Sequence, residues 1–193
     1  MKILTLIIFL GLLSCKYQKI YAQAKQLTDS ANAIFKNTLD PLKALPLLNK
    51  ATELDSTYLP ALVTKLNFEM VSNMPDKAIL TAMTLIRIKP GVSEYYSSIG
   101  FIYEKMKDTI SSKKYFMHAV GCYNKKLEGM SNTNKNYDWI LFNKATNMIL
   151  AGDEQSANYI LKELYNRTQE VSFKETVKSV MNKSRQQILE DMK

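Results

Sequence analysis

Histidine, cysteine and arginine are scarce among these 193 residues, and each scarcity removes a class of chemistry. One histidine, His118, supports neither a histidine metal site nor a Ser-His-Asp arrangement with any redundancy. The two cysteines are Cys15 and Cys122; with Cys15 at the end of an N-terminal apolar run, Cys122 has no partner for an internal disulfide. It is either a thiol that pairs with another chain or a buried, inert side chain. Only Arg87, Arg167 and Arg185 are arginines, so the net charge of +8 rests on lysines scattered among acids. A nucleic-acid face gathers arginine with aromatic side chains, and none is gathered here. The charge instead describes a solvated surface with a mild pull on anionic headgroups or acidic partners, over about 8 Å at physiological salt. Six glycines form no phosphate-cradling loop. The 46% hydrophobic content excludes disorder and is ample for the core of one domain.

Long apolar runs are also missing, with one exception. Lys2 precedes Ile3 to Leu13, broken by Thr5 and Gly11, and Leu12-Leu13-Ser14-Cys15 closes the run with small residues. That is the pattern of a secretory signal, too short for a bilayer span of roughly 20 apolar residues. Leu-Leu-Ser-Cys resembles the bacterial lipobox. The resemblance implies cleavage before Cys15, acylation of its sulfur, a signal over 1–15 and a polar tether over 16–24. Lys16, with no acidic residue soon after it, resembles lipoproteins of the outer membrane's periplasmic face. The rival is Ala22-Gln23-Ala24, a small-x-small site that would release a soluble chain beginning at Lys25.

The remainder is periodic. Tyr96, Ile99, Gly100 and Tyr103, then Ser112, Phe116 and Ala119, carry the spacing W-x2-L-G-x2-Y followed by A-x3-F, and so resemble one tetratricopeptide repeat. Steps of 34 residues back from Ser112 land on Ala78 and Ala44, small residues on the second helix of a pair. Ala157 follows after 45, which places about eleven extra residues near Gly129–Lys135. The resemblance implies an all-α, right-handed superhelical solenoid of about four helix-turn-helix repeats, near 25–58, 59–92, 93–137 and 138–171. Asp40-Pro41 is a strong helix start, and Pro46 is a blemish inside that helix. Phe173, Val177, Val180, Met181, Ser184 and Ile188 at helical spacing predict one amphipathic capping helix over 172–193.

In this family the first helix of each repeat lines a concave groove. Carried over by register, the groove positions are Asp29, Ala33 and Lys36, then Val63, Asn67 and Met70, then Ser97, Phe101 and Glu104, then Trp139, Phe142 and Thr146. Those from Asn67 onward are the candidate partner-binding residues. Asp29 and Val63 stand where a carboxylate clamp would want amide or basic groups. Trp139 and Phe142 serve either the groove or the packing beneath the cap. Ser111–Lys114 matches S-x-x-K, but no S-D-N or K-T-G follows.

No catalytic residue, metal or cofactor is expected. The expectation is a lipid-anchored periplasmic scaffold, held through Cys15, that binds a protein or peptide. The alternatives are an accessory subunit of an envelope enzyme and a soluble periplasmic protein cut after Ala24.

Overall fold

The computed structural model describes the backbone of residues 2–191 and the side chains of residues 17–191. Among them lie ten α-helices and no strand: α1 Lys2–Thr38, α2 Pro41–Leu54, α3 Leu59–Val71, α4 Pro75–Ile88, α5 Ser93–Lys105, α6 Thr109–Glu128, α7 Tyr137–Ala151, α8 Glu154–Arg167, α9 Val171–Val180 and α10 Arg185–Asp191. The first eight form four hairpins, the all-α repeat architecture that the 34-residue period implies. They divide into two compact units, Met1–Ile88 and Lys89–Lys193, at the Lys89-Pro90-Gly91 helix stop.

Each hairpin turns the same way, for a local reason. Leu39, Asn73, Lys107 and Gly152 all have positive φ, at 54°, 55°, 62° and 103°, and each sits between the two helices of a hairpin. They repeat at 34, 34 and 45 residues, the same intervals that separate Ala44, Ala78, Ser112 and Ala157, all fully buried. A left-handed residue ends a helix by folding its amides back onto the last carbonyls. At Gly152 the amide reaches the carbonyls of Met148 and Ile149, and the Asp153 amide reaches Met148. The following helix then starts on an aspartate in three of the four: the side chains of Asp40, Asp108 and Asp153 accept from the amides of Leu42, Ser111 and Ser156. In the α3–α4 hairpin Met74 takes that place and packs into the core instead.

Unit 1 packs Ala24 and Ala31 of α1 against Ala44, Leu45, Leu48 and Ala51 of α2 and Ala61 and Phe68 of α3. Pro46 sits on the exposed side of α2, which runs through it unbroken. The stretch 16–24, expected as a tether, is helical throughout. Its last part packs: Ala24 is fully buried, and Tyr21 meets Tyr58 edge-on at 5.2 Å.

Unit 2 centres on Phe116, Ile149, Leu150, Leu161 and Leu164, with Phe173 and Val177 of α9 and Ile188 of α10 laid over them. Two features differ from expectation. The additional residues between the third and fourth hairpins are not all loop: α6 has 20 residues where α2, α4 and α8 have 14, and the connection proper is 129–136. The extension has an apolar use, since Leu127 and Met130 pack against Tyr123 and Ile140 in a satellite cluster. The segment expected as one capping helix is two, α9 and α10. The break has a chemical cause in Ser184-Arg-Gln-Gln187, where the Ser184 hydroxyl accepts from the Gln187 amide at 3.3 Å and the Gln187 side chain accepts from the Ser184 amide at 2.8 Å. That capping box starts a new helix. Asn182, at φ 65°, turns the chain just before it.

Candidate functional site

The expected groove residues divide between the two units. In unit 1, Asp29 and Ala33 share a shallow depression of about 440 Å3 with Ala22, Lys25, Gln26 and Ser30. Lys25 pairs with Asp29 at 2.6 Å one helical turn away, with both side chains more than half exposed. Lys36 and Asn67 are exposed, and Val63 and Met70 are half-buried. Cys15, the expected acylation site, lies outside the residues whose side chains are described.

In unit 2 most of the expected positions are already engaged within the fold. Ser97 on α5 donates to Asn147 Oδ1 on α7 at 2.7 Å, tying the two groove helices together. The Thr146 hydroxyl bonds to the Phe142 carbonyl of its own helix. Phe142 is 8% exposed and lies 6.0 Å from Phe173, so its ring serves the packing beneath α9. Trp139 meets Phe173 in a tilted contact with ring centroids 4.7 Å apart, yet stays 44% exposed. Phe101 meets the buried Phe116 edge-on at 4.9 Å and presents its other side to a cleft.

That cleft, about 690 Å3, is walled by Phe101, Glu104, Lys105 and Lys107 from the α5–α6 hairpin and by Arg185, Gln186, Leu189 and Glu190 of α10. Arg185 organises it. The guanidinium forks onto the Glu104 carboxylate, its Nη2 also donates to Ser112 Oγ at 3.1 Å, and its Nε donates to the Leu150 carbonyl at 2.8 Å. The Arg185 backbone amide donates to Glu154 at 2.8 Å. Side-chain exposures of 15% for Arg185 and 23% for Glu104 make this a largely desolvated pair, whose geometry must be good to offset the loss of water. The cation also lies against the last turn of α7, where helix dipoles favour it.

Arg185 was legible in part. It is one of three arginines, and the S-x-x-Q around it is the signature of a helix start, which the longer apolar periodicity masked. Its partner could not be read, because Glu104 lies 81 residues away.

The residues considered for catalysis do not assemble. Ser111 and His118 lie seven residues apart on α6, about 10 Å along a helix axis. His118 is exposed beside the rings of Tyr96 and Tyr115, at 5.8 and 6.0 Å. The Cys122 thiol is half-buried, 3.7 Å from the Pro90 carbonyl, and burial pushes its pKa up, which disfavours the reactive thiolate. No group of three or more His, Cys, Asp or Glu side chains suited to a metal occurs among the described residues, and none of the described helices is long and apolar enough to cross a membrane.

No protein-family model matches the chain, and no curated protein matches it. Solved structures do. One is described as "Crystal structure of YrrB: a TPR protein with an unusual peptide-binding site"; the similarity has 18% identity and a TM-score of 0.49, covering 73% of this chain and 66% of that one. The match thus spans just under two thirds of that chain's length.

Proposed function

We propose that this protein is a protein-interaction scaffold that holds a protein or peptide partner against the first helices of its hairpins, and that it is anchored to the periplasmic side of a bacterial membrane through an acylated Cys15. The observation that carries the scaffold reading is the repeated construction of the hairpins. The same left-handed turn and the same buried small residue recur at 34, 34 and 45 residues. Such arrays expose long helical faces, and their usual use is to bind other chains. Half-exposed Trp139 and the cleft beside Phe101 supply the apolar anchors that a partner would bury.

The anchor rests on the apolar run ending at Leu-Leu-Ser-Cys15. The packing of unit 1 favours it over cleavage after Ala24. That cut would remove the buried Ala24 side chain, the carbonyl to which the Thr28 hydroxyl donates at 2.8 Å, and the Tyr21 ring from Tyr58.

A photo-crosslinking amino acid placed at Trp139 and, separately, at Asn67 tests the scaffold in the native envelope. Both positions are expected to give a discrete protein adduct; adducts from neither would sink the reading. Labelled palmitate is expected on the wild-type chain. A Cys15→Ser variant that remained equally membrane-bound, with no label on the wild type, would remove the anchor.

A further inference from the structure

We infer that α10 is a displaceable arm occupying part of the binding face of unit 2 in the free chain, and that the external guest of that face is a short amphipathic helix of the same chemistry, a guanidinium one turn ahead of an aliphatic pair. The inference rests on the scaffold reading and names the partner's kind.

Four observations carry it. First, α10 walls one cleft with Phe101 and Glu104 of α5, and its Arg185 pairs with Glu104. Second, α10 is held mostly as a guest would be, through a few projecting side chains, with one backbone contact from the Arg185 amide to Glu154. Arg185 pairs with Glu104, Ile188 is buried at 3% exposure and Leu189 packs beside it, while Gln186, Gln187, Glu190 and Asp191 face solvent. Third, α10 has seven residues, too few for a stable helix without its docking site, and it is joined to α9 by the 181–184 turn, with Asn182 at φ 65°. Helix, turn and small apolar contact place it at the low-stability end of the molecule. Fourth, α10 does not fill the face, for the cleft of about 690 Å3 remains between it and α5.

Glu104 explains why the guest must bring a cation. It lies in the last turn of α5, where the helix dipole disfavours a carboxylate, and it is three-quarters buried. When Arg185 leaves, water can reach Glu104, but a guest that covers it again must bring a cation or leave a buried charge unpaired. The Leu150 carbonyl and Ser112 hydroxyl offer further acceptors to a guanidinium and fewer to a compact ammonium. The apolar part of the site, the Phe101 ring and the core beneath Ile188, takes the aliphatic pair.

The probe is a fluorescent synthetic peptide of residues 183–193, added to the full-length protein. An Arg185→Ala/Ile188→Ala chain, whose own arm is released, is expected to bind the peptide at least about 10-fold more tightly than the wild type. A tethered arm competes at an effective concentration near the millimolar range. Adding Glu104→Gln should abolish the gain, and an Arg185→Ala peptide should not bind. Equal affinity for both chains, or binding to neither, overturns the inference. Should the released variant fail to fold by circular dichroism, hydrogen exchange on the wild type decides: amides of 186–191 are expected to exchange at least about 10-fold faster than those of α7, and protection equal to α7 makes α10 a fixed part of the core. A wild-type dimer that vanishes in the double variant would assign α10 to a second copy and likewise overturn it. If the peptide fails while crosslinks from Asn67 or Trp139 persist, this inference falls and the scaffold reading stands.

Discussion

Glu69 shows how one residue can set a pH response. It is 2% exposed on α3, donated to by Thr81 at 2.7 Å from α4, with the Lys65 ammonium 3.9 Å away. Burial pushes its carboxyl up from the ordinary 4.5, against the opposing pull of the Thr81 hydrogen bond and of the Lys65 and Lys77 charges. The folded chain therefore holds this proton more tightly than the unfolded chain does. Stability from the neutral carboxyl is fully present below about 4.5 and is lost as pH rises through the raised native value. A Glu69→Gln chain stays neutral and keeps a hydrogen bond to Thr81. Denaturant unfolding between pH 4 and 7 is expected to show the variant gaining on the wild type as pH rises; parallel curves would contradict this. Nothing in the repeat pattern of small residues singled out Glu69. That its carboxylate was the buried group required the α3–α4 packing.

Between elements, α5 and α6 approach closely at Gly100. A Cβ built on Gly100 would lie 2.9 Å from the Phe116 ring, which is fully buried and braced by Phe101. The ring has nowhere to go. Overpacking of this kind costs about 1–3 kcal/mol, whereas alanine gains about 1 kcal/mol over glycine in a helix interior. The two effects oppose each other, and the collision wins. Gly100→Ala is expected to destabilise unit 2 by up to about 2 kcal/mol in denaturant unfolding; a higher stability would mean that the hairpin has slack. The rest of this hairpin is locked by stacked Tyr103 and Tyr115, centroids 5.5 Å apart, and by Tyr96, whose hydroxyl donates to the Pro90 carbonyl at 3.1 Å. Tyr96, Gly100, Tyr103 and Phe116 belong to the pattern, Phe101 and Tyr115 each sit next to one of its residues, and Pro90 lies outside it. The hairpin was legible because its contacts are local. The C-terminal break was not, since the apolar stripe from Phe173 to Ile188 runs straight across the capping box and hides it.

For the whole chain, the N-terminal helix links the proposed cleavage before Cys15 to stability. A chain beginning at Lys25 loses the Ala24 side chain from the core and the edge-on contact of Tyr21 with Tyr58. Compared with a chain beginning at Lys16, it is expected to be less stable by about 1–3 kcal/mol, read from denaturant unfolding. Equal stability would remove the packing argument for cleavage before Cys15. Such a difference is large beside the ordinary 5–15 kcal/mol of a folded domain.

Composition, period and turn chemistry together determined the helices and their pairing. A 34-residue step of small residues, aspartates at helix starts and a Pro-Gly stop are local instructions, obeyed by the few residues around them. The tertiary structure decided which groove residues remain free. Phe142 went beneath α9, Ser97 to Asn147, and Glu104 to Arg185, because burial and charge pairing are settled by neighbours 30 to 80 residues away in the chain. Periodicity places a residue on a face; only packing shows what already covers that face.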